Sequence, residues 1–487
     1  MIPYKTTIEI DRTIKVPIYL QICQQLIFLM KNGALPPNTK LPGTRTLSEL
    51  LNVHRKSIIS CYDELMSQGW IDVIPSKGAF VSSSLPITDI EPQKKKNNEV
   101  SGFSFAKRSR LNYEESSINK DFIAINDGLP DTRLSPIEEI ASTYRNIIKR
   151  KQHRNLGYDS IYGNLELRKE LIVYLNETRG LSVDLEQILI TRGSQMGIYL
   201  ASQLIVSNNG EVIIGKTNYK SANDTFTEIS ANLNKVDVDE NGLNTHQIEV
   251  ICKHKKINAV YVTSHHHHPT TVALSPERRM HLLDLANTYK FAIIEDDYAY
   301  DFHYANAPIM PLASNDLYGN VVYIGSLSKT IAPAIRIGYL VATKDFVKEA
   351  AQYRKIIDRQ GDSLLELTMA FMIKDRSLQR YSKKALKIYK ERRDLFCKLL
   401  KEKLSDYISF EVPDGGMAVW VQLDKKYSWD SIKDKALKKG LILNDWKKYD
   451  TSTQNHNGIR MGFASLNEDE IKKAIMILID VFLDYKV

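Results

Sequence analysis

Lys329 lies in a turn rich in serine and threonine that directly follows the apolar run 321–325. Short apolar runs of this kind are typical of buried strands, so the pattern predicts that Lys329 stands at the carboxyl end of a strand. An amine held in such a position can form an imine with an aldehyde cofactor. The alternative is a solvated lysine in a surface loop, which the Ser-x-x-Lys pattern alone would favour.

Further residues around this turn favour the cofactor hypothesis. Asp296 comes shortly after the apolar run 291–294 and is predicted to leave another strand at its carboxyl end. A carboxylate there would keep the ring nitrogen of a pyridine cofactor protonated, which makes the ring an electron sink. Ser326, Ser328 and Arg336 supply hydroxyls and a guanidinium for a phosphate group. Together with the lysine, these residues predict a site for pyridoxal 5′-phosphate.

Two other segments are predicted to contribute to the same site. Ser194 and Gln195 follow the apolar run 188–191 and open a helix, whose first backbone N–H groups are suited to bind phosphate. A Gly-Ser pair at a helix start is also common without any ligand. Tyr298, two residues after Asp296, is placed to form a hydrogen bond with the phenolic oxygen of the cofactor.

From about residue 126 to its C-terminus the chain resembles the fold-type I aminotransferases, which use pyridoxal phosphate. The resemblance rests on the segment 296–298 and on the turn that contains Lys329. It implies that Tyr219 stacks on the cofactor ring and that Arg460 binds a substrate carboxylate. An arginine on a strand can also form a structural salt bridge, and this alternative stays open for Arg460. The resemblance further implies a homodimer, because fold-type I sites form at a subunit interface.

Four consecutive histidines, 265–268, precede Pro269. Neighbouring side chains on an extended chain point in alternate directions, so the four cannot easily converge on one ion, and no metal site is predicted. They occupy the place where the resembled enzymes carry an Asn-Pro-x-Gly loop, with His268 for the asparagine and Thr271 for the glycine. Because those enzymes use the asparagine to hold the phenolic oxygen of the cofactor, the replacement predicts little or no transaminase turnover.

Length and composition are those of a globular protein of several domains. The 487 residues predict two or three domains, and 43% hydrophobic with 25% charged residues supplies ample material for a core. No apolar run reaches the roughly 18 residues of a membrane helix. The net charge of +8 permits a nucleic-acid partner without demanding one. Four cysteines lack any spacing for disulfides or zinc, which together with the missing secretion signal predicts a cytoplasmic protein: Cys23, Cys61, Cys252 and Cys397.

Residues 14–83 are predicted to form three helices and a hairpin. The first helix has one apolar face, made of Ile18, Ile22, Leu26 and Leu29. A capping-box pattern, Thr46 with Glu49, predicts the start of a short second helix, and a third is predicted over about 54–68. Two helices joined by so short a turn are typical of a helix-turn-helix, whose second helix enters the major groove of DNA. A helical domain that binds another protein is the alternative.

The order of motifs in this segment resembles the winged-helix domain of the GntR family of bacterial transcription regulators. The motifs are Leu-Pro-x-x-Arg at 41–45, a basic start of the third helix at 54–57 and a Lys-Gly turn at 77–78. The resemblance implies DNA contacts from Arg45, His54, Arg55, Lys56, Ser57 and Lys77. Residues 84–121 are rich in Ser, Pro, Asn and charge without a clear period, which predicts a linker.

Beyond the linker, apolar runs alternate with amphipathic stretches, which predicts a mainly parallel sheet between helices with ligands at the carboxyl ends of its strands. The runs lie at 188–191, 212–215, 259–263, 291–294, 321–324 and 338–341. The predicted fold is multidomain. It comprises an α+β winged helix-turn-helix (14–83), a linker (84–121), and an α/β fold-type I aminotransferase-like domain (122–487) with a small C-terminal α+β subdomain.

This architecture resembles the MocR-type subfamily of GntR regulators over nearly the whole chain. The resemblance implies a bacterial transcription regulator that binds double-stranded operator DNA and senses pyridoxal phosphate, an amino acid or an amine. Two alternatives remain. One is a genuine aminotransferase with an accessory N-terminal domain, and the other is a protein whose cofactor is only structural.

Overall fold

The computed structural model describes residues 3–86, 101, 103–107, 121–149, 156–206, 209–304, 309–449 and 455–484. The chain divides into two compact units, Met1–Ser109 and Arg110–Val487. Most of the predicted linker 84–121 lies outside the described residues, so the bounds given above for the three segments stay a prediction. The described part of the chain contains no helix with the length and apolar character that crossing a membrane requires.

Helices and a two-stranded sheet form the N-terminal unit. In chain order they are α1 (Tyr4–Thr7), α2 (Ile18–Lys31), α3 (Thr44–Leu51), α4 (Arg55–Ser67), β1 (Ile71–Ile74) and β2 (Gly78–Val81). β1 and β2 are antiparallel, with Ile71 opposite Val81. Ser76 and Gly78 adopt positive φ angles of 62° and 110° in the turn that joins them. This is the predicted winged helix-turn-helix.

The core of this unit forms where α2 and α4 bury their apolar sides, because apolar residues recur on each at helical spacing. Ile22 on α2 and Ile58 on α4 are fully buried. Cys23 Sγ lies 3.1 Å from Cys61 Sγ, and both thiols are free. This thiol pair joins two helices that are distant in sequence, so the cysteine spacing did not predict it.

The predicted capping box at Thr46 is wrong, because α3 begins two residues earlier, at Thr44. Gly43 precedes the helix with extended backbone angles, φ −60° and ψ 153°, and no side chain caps the first turn. Glycine is accepted at this position because its backbone reaches the required conformation freely. Thr46 therefore lies inside the helix.

The C-terminal unit is built from strands and helices in mixed order. Its strands are β3 (Ile123–Ile125), β4 (Ile188–Thr191), β5 (Glu211–Gly215), β6 (Asn232–Val236), β7 (Val238–Asp239), β8 (Gly242–Leu243), β9 (Ala259–Val262), β10 (Ala292–Asp297), β11 (Val321–Ser326), β12 (Gly338–Val341), β13 (Ile408–Phe410), β14 (Ala418–Leu423), β15 (Leu441–Leu443) and β16 (Gly458–Gly462). Its helices are α5 (Ile137–Lys149), α6 (Leu165–Arg179), α7 (Ser194–Ile205), α8 (Lys220–Glu228), α9 (Thr245–Cys252), α10 (Pro276–Tyr289), α11 (Lys344–Ile357), α12 (Ser363–Lys374), α13 (Ser377–Leu404), α14 (Trp429–Lys438) and α15 (Glu468–Leu483).

A seven-stranded sheet with the order β4-β12-β11-β10-β9-β5-β6 forms the centre of this unit. Only β12 runs antiparallel to its neighbours, β11 and β4, which confirms the predicted mainly parallel sheet. All six predicted apolar runs are strands in it. β6 was missed, because this edge strand has the polar sequence Asn-Leu-Asn-Lys-Val and few of the apolar residues that mark a buried strand.

A smaller part of the unit contains the antiparallel sheet β13-β14-β16 and the parallel pair β15-β3. β3 is the first strand of the unit, whereas its partner β15 lies more than 300 residues later, with Ile123 opposite Leu441. The chain that follows β3 reaches β16, where the Gly462 N–H donates to the carbonyl of Asn126 at 2.7 Å. Residues 126–128 are thereby brought beside Arg460 on β16.

Candidate cofactor and effector site

A cavity of about 990 Å³ lies at the carboxyl ends of the central strands. All of the residues predicted to hold the cofactor line it: Ser194, Gln195, Tyr219, Asp296, Tyr298, Ser326, Ser328, Lys329 and Arg336. They come from the ends of β10 and β11 and the loops that follow these strands, from the start of α7 and, for Tyr219, from the residue before α8. Parallel strands bring such loops to one edge of a sheet, so residues far apart in sequence meet there.

Asp296 is a buried residue that lines the cavity near the end of β10. Its Oδ2 accepts a hydrogen bond from Tyr261 Oη at 2.8 Å, whereas its Oδ1 is buried and has no partner among the described residues. Burial raises the pKa of Asp296 to about 7, and the charge of Asp297 adds to the rise. A cationic donor placed at Oδ1 would satisfy this oxygen and stabilise the carboxylate.

Lys329 follows β11 and donates from Nζ to the carbonyl of Gly128 at 3.0 Å. Burial lowers the pKa of Lys329 to about 8, and the positive charge of Arg460 contributes to the same shift. Asp127 and Asp296 partly oppose it. A lysine with such a pKa is partly neutral near physiological pH, as a nucleophilic amine must be.

The phosphate seat is predicted at the start of α7. Gly193 precedes it with φ 79°, and a Cβ on this glycine would lie 2.6 Å from Arg336 Nη2, so a side chain there would collide with the guanidinium. Arg336 also donates to the carbonyl of Arg192 at 2.8 Å. Ser328 Oγ is buried and has no partner among the described residues. An arginine thus borders the helix N-terminus, and an unsatisfied hydroxyl lines the same cavity, so both could donate to an anion.

The aromatic residues and Arg460 have partners within the protein. The ring of Tyr219 contacts that of His268 edge-on, at 5.2 Å between centroids. Tyr298 Oη donates to the carbonyl of His266 at 2.9 Å and accepts from Arg460 Nη2 at 3.2 Å. The predicted contacts of these side chains with a cofactor or a substrate stay predictions.

The four histidines 265–268 are all buried and have four different sets of partners. His265 Nδ1 lies 3.3 Å from Asp297, and His267 Nε2 lies 2.9 Å from the carbonyl of Thr217. His266 stacks on the ring of His303, and His268 Nε2 lies 3.3 Å from Asp127 Oδ2. Burial lowers the pKa of His266 to about 3 and those of His267 and His268 to about 4, so these three are neutral at neutral pH.

Thr271, at the place where the resembled enzymes carry glycine, has φ 67°. This left-handed conformation is costly for a β-branched residue and is the one that glycine adopts freely. Two hydrogen bonds hold the loop in this form. The Thr271 N–H donates to His267 O at 2.7 Å, and the His267 N–H donates to Val272 O at 2.8 Å.

Asp127, Tyr261 and Lys448 are polar residues of the site that were not predicted from the sequence. Asp127 and Lys448 line the cavity, and Tyr261 holds Asp296 from β9. The position of Asp127 just after the short apolar run 123–125 was the available indication, since polar residues at strand ends often line sites. Lys448 lies outside any strand, in a segment with no apolar pattern.

In the N-terminal unit, the residues predicted to contact DNA lie at the start of α4, on α3 and in the wing. Arg45, His54, Arg55, Lys56 and Lys77 are exposed, and Ser57 is half-buried. His54 also caps α4, because its Nδ1 accepts a hydrogen bond from the Lys56 N–H at 3.2 Å. Their contacts with DNA stay predictions.

One group of described side chains has ligand atoms close enough for a metal ion. These atoms, from His246, Glu249 and His281, lie within 4.8 Å of one another. Glu249 Oε1, however, already pairs with Lys253 Nζ at 2.7 Å. The expectation that the protein binds no metal stays a prediction.

Residues 123–478 match the aminotransferases of class I and II, and this match covers most of the chain. The chain belongs to this family. Residues 18–81 match the bacterial regulatory proteins of the gntR family, so the N-terminal unit carries a GntR-type helix-turn-helix domain. The protein is thus a GntR-type domain fused to an aminotransferase-like domain.

Proteins similar along their whole length include two bacterial regulators. The HTH-type transcriptional regulator NorG of Staphylococcus aureus (strain USA300) is 28% identical over 448 residues, which cover 90% of this chain and 98% of NorG. The protein named uncharacterized HTH-type transcriptional regulator YdfD, of Bacillus subtilis (strain 168), is 27% identical over 472 residues, or 95% of each chain. A kynurenine aminotransferase of Pyrococcus horikoshii, solved in complex with PMP, is 25% identical with a TM-score of 0.72, covering 78% of this chain and 97% of that one.

The side chains of the cavity fit the cofactor of this aminotransferase family, pyridoxal 5′-phosphate. Buried polar atoms without a hydrogen bond are costly, and four of them belong to residues that line this cavity: Asp296 Oδ1, Ser328 Oγ, Gln195 Oε1 and His268 Nδ1. The first is an acceptor that a protonated ring nitrogen would satisfy. The second is a hydroxyl that a phosphate oxygen would satisfy. Lys329, which lines the same cavity, supplies the amine.

Proposed function

We propose that this protein is a transcription regulator that binds double-stranded operator DNA through its winged helix and responds to a small molecule through pyridoxal 5′-phosphate. The observation that carries the proposal is the cavity, because it combines an amine, a buried carboxyl group with one unsatisfied oxygen and donors for an anion. The same chain also has a GntR-type domain. The relatives NorG and YdfD are both named HTH-type transcriptional regulators, which supports the proposal.

Each side chain of the cavity has a role in this proposal. Lys329 attaches the cofactor covalently, and Asp296 accepts a hydrogen bond from its ring nitrogen. Tyr219 packs on the ring, and Tyr298 forms a hydrogen bond with the phenolic oxygen of the cofactor. Arg460 contributes to the effector site. The phosphate is held by Ser194, Gln195, Ser326, Ser328 and Arg336. When bound, the cofactor supplies an electrophilic carbon and an electron-withdrawing ring.

The effector is an amine, an amino acid or pyridoxal phosphate itself, and the protein acts as a homodimer. On the DNA, Arg45, His54, Arg55, Lys56, Ser57 and Lys77 make the contacts. Helix-turn-helix dimers place two recognition helices in successive major grooves, about 34 Å apart. A ligand that favours one arrangement of two such helices therefore changes operator affinity.

A genuine aminotransferase with an accessory DNA-binding domain is the second candidate, because the full set of cofactor residues lines the cavity. Two observations favour the sensor over it. His268 replaces the asparagine of the enzymes, and Arg460, which would receive a substrate carboxylate, is 1% exposed and already paired.

The two candidates are separated by measuring DNA binding and turnover on the same preparations. An operator is selected from a random duplex library, and its affinity is measured with cofactor-free protein, with cofactor-loaded protein and with Lys329→Ala. We expect loading to change the affinity of the wild type several-fold and to have less effect on Lys329→Ala. We also expect no transamination above background with mixtures of amino acids and 2-oxo acids. Equal affinities in all three states together with turnover would establish the enzyme instead.

A further inference from the structure

Arg460 already binds a carboxylate of its own chain. Its Nε donates to the backbone carbonyl of Asp127 at 3.4 Å and lies at the same distance from Asp127 Oδ1. Its Nη1 donates to the carbonyl of Pro269 at 3.0 Å. Its Nη2 donates to Tyr298 Oη at 3.2 Å. Every nitrogen of the guanidinium therefore has a partner before any ligand enters.

Asp127 is held by further partners on its two oxygens. Oδ2 forms an ion pair with Lys448 Nζ at 2.8 Å and lies 3.3 Å from His268 Nε2. Oδ1 accepts a hydrogen bond from Tyr449 Oη at 2.9 Å. The side chain of Asp127 is 28% exposed and lines the cavity, whereas the side chain of Arg460 is only 1% exposed. Burial by itself raises the pKa of Asp127, but His268, Arg460 and Lys448 outweigh burial and hold that pKa below its usual range. Asp127 is thus a carboxylate at neutral pH.

The backbone keeps this carboxylate in place. Asn126 Oδ1 accepts from the N–H groups of Gly128 and Leu129, at 3.0 and 2.8 Å. Gly128 has φ 81°, and a Cβ there would lie 3.2 Å from Ala418 Cβ and 3.4 Å from Arg460 Nη2. The segment therefore fits closely against β14 and β16, and moving Asp127 aside would break several contacts at once.

We propose that Asp127 is a built-in counter-ion that fills the carboxylate seat of Arg460, so that the cavity selects primary amines without a carboxylate over amino acids. This inference rests on the proposed cofactor site and names the class of its effector. A ligand carboxylate at Arg460 would lie next to the carboxylate of Asp127, and like charges at such a distance repel. A carboxylate-free amine meets no such repulsion and leaves the pair of Asp127 and Arg460 intact.

The test uses pairs of ligands that differ only in the carboxylate, such as phenylalanine with phenethylamine and leucine with isoamylamine. Each is titrated into cofactor-loaded full-length protein while the absorbance of the cofactor is followed. For the wild type, we expect each amine to reach half its effect at a concentration at least tenfold lower than its amino acid. Equal or reversed order in both pairs would overturn the inference. This comparison needs no variant.

Asp127→Asn removes the charge but keeps the shape of the side chain. In this variant we expect the amino acids to act at concentrations at least tenfold lower than in the wild type, with little change for the amines. Asp224→Asn is the matched control, since Asp224 lines the same cavity but pairs with Lys220 at 2.6 Å, and it should leave the preference unchanged. An Asp127→Asn protein that binds cofactor but keeps the preference of the wild type would contradict the inference.

The outcomes separate this inference from the proposed function. A wild-type protein that never acquires cofactor absorbance would refute the cofactor site itself. A protein that binds cofactor, changes its operator affinity and responds better to amino acids would keep the proposed function and overturn the role of Asp127.

Discussion

Burial shifts the two reactive side chains of the site toward their neutral forms. It raises the pKa of Asp296 to about 7 and lowers that of Lys329 to about 8. Each residue is therefore poised for a ligand, the carboxyl for a cation and the amine for an electrophile. Tyr261 fixes the carboxyl of Asp296 from one side and leaves the other oxygen unsatisfied.

The first prediction concerns the pH dependence of cofactor capture. Only the neutral amine attacks an aldehyde, and the neutral fraction of Lys329 grows as the pH rises through its pKa. The rate at which cofactor-free protein binds pyridoxal phosphate should therefore increase with pH, with its midpoint near 8. Arg460→Gln should move the midpoint upward, because the positive charge of Arg460 lowers the pKa of Lys329 and the variant lacks this charge. Stopped-flow absorbance measures both, and a rate without pH dependence between about 7 and 9 would contradict the prediction.

The identity of the reacting lysine can be established in the same preparations. Reduction of the loaded protein with borohydride, followed by peptide mapping, should label Lys329, and Lys329→Ala should remain unlabelled. A label on any other lysine would refute the assignment.

The second prediction concerns the carboxylate of the site. Asp296→Asn should weaken cofactor retention by about 10- to 150-fold, since hydrogen bonds to charged groups contribute about 1.5–3 kcal/mol. Equilibrium dialysis against free cofactor measures the loss. Asp345→Asn, which removes an exposed carboxylate on α11, is the control for net charge. Unchanged retention in Asp296→Asn would mean that the ring nitrogen faces another group.

At the scale of elements, both units present their functional residues where a regular element begins or ends. Strand ends and the start of α7 line the cavity, and the predicted DNA contacts lie at the starts of α3 and α4 and in the turn between β1 and β2. Backbone groups at such positions lack partners within the element and are available to a ligand. His54 caps α4, and the exposed Arg55 and Lys56 lie in its first turn.

The third prediction concerns that first turn. Arg55→Ala and Lys56→Ala should weaken DNA binding while leaving the cofactor absorbance unchanged. If each residue contacts a phosphate, affinity should fall for every sequence, and the slope of log affinity against log salt should shrink by about one per contact. Lys15→Ala removes the same charge from an exposed site before α2 and serves as the control. Normal operator affinity in both variants would show that α4 is not the recognition element.

At the scale of the whole molecule, regulation requires a ligand in one unit to change how the other binds DNA. A ligand shifts such an equilibrium only through its different affinity for the two states. Moving it from 1:99 to 99:1 takes a ratio of about 10⁴, or about 5.5 kcal/mol. In the proposed function, the source of this difference is the exchange of the cofactor's bond to Lys329 for a bond to the amine, which releases the Lys329 amine, together with the contacts of the bound amine.

The fourth prediction concerns the homodimer. Light scattering should give twice the mass of one chain, and the selected operator should contain two half-sites. Because the two recognition helices must face the same side of the duplex, inserting 5 base pairs between the half-sites should abolish tight binding. An insertion of a full helical turn should be tolerated better. A monomer that binds one half-site with full affinity would contradict the prediction.

The sequence by itself determined the kinds of element and most of the chemistry of the site. Apolar runs predicted the six central strands, and the residues just after them, such as Lys329 and Asp296, were expected in the site because strand ends face ligands. These features depend on patterns within a few consecutive residues, so the sequence alone reveals them. The capping box at Thr46 failed because Gly43 can begin a helix without a side-chain cap.

Only the tertiary structure decided which of these residues are already satisfied. Asp127 and Arg460 are 333 residues apart, and they meet because β3 pairs with β15 while the following loop packs on β16. Nothing near either residue in the sequence indicates this pairing, since it depends on the path of the whole chain. The same holds for Tyr261 beside Asp296, and for the unsatisfied Oδ1 of Asp296, which fits the ring nitrogen of pyridoxal phosphate.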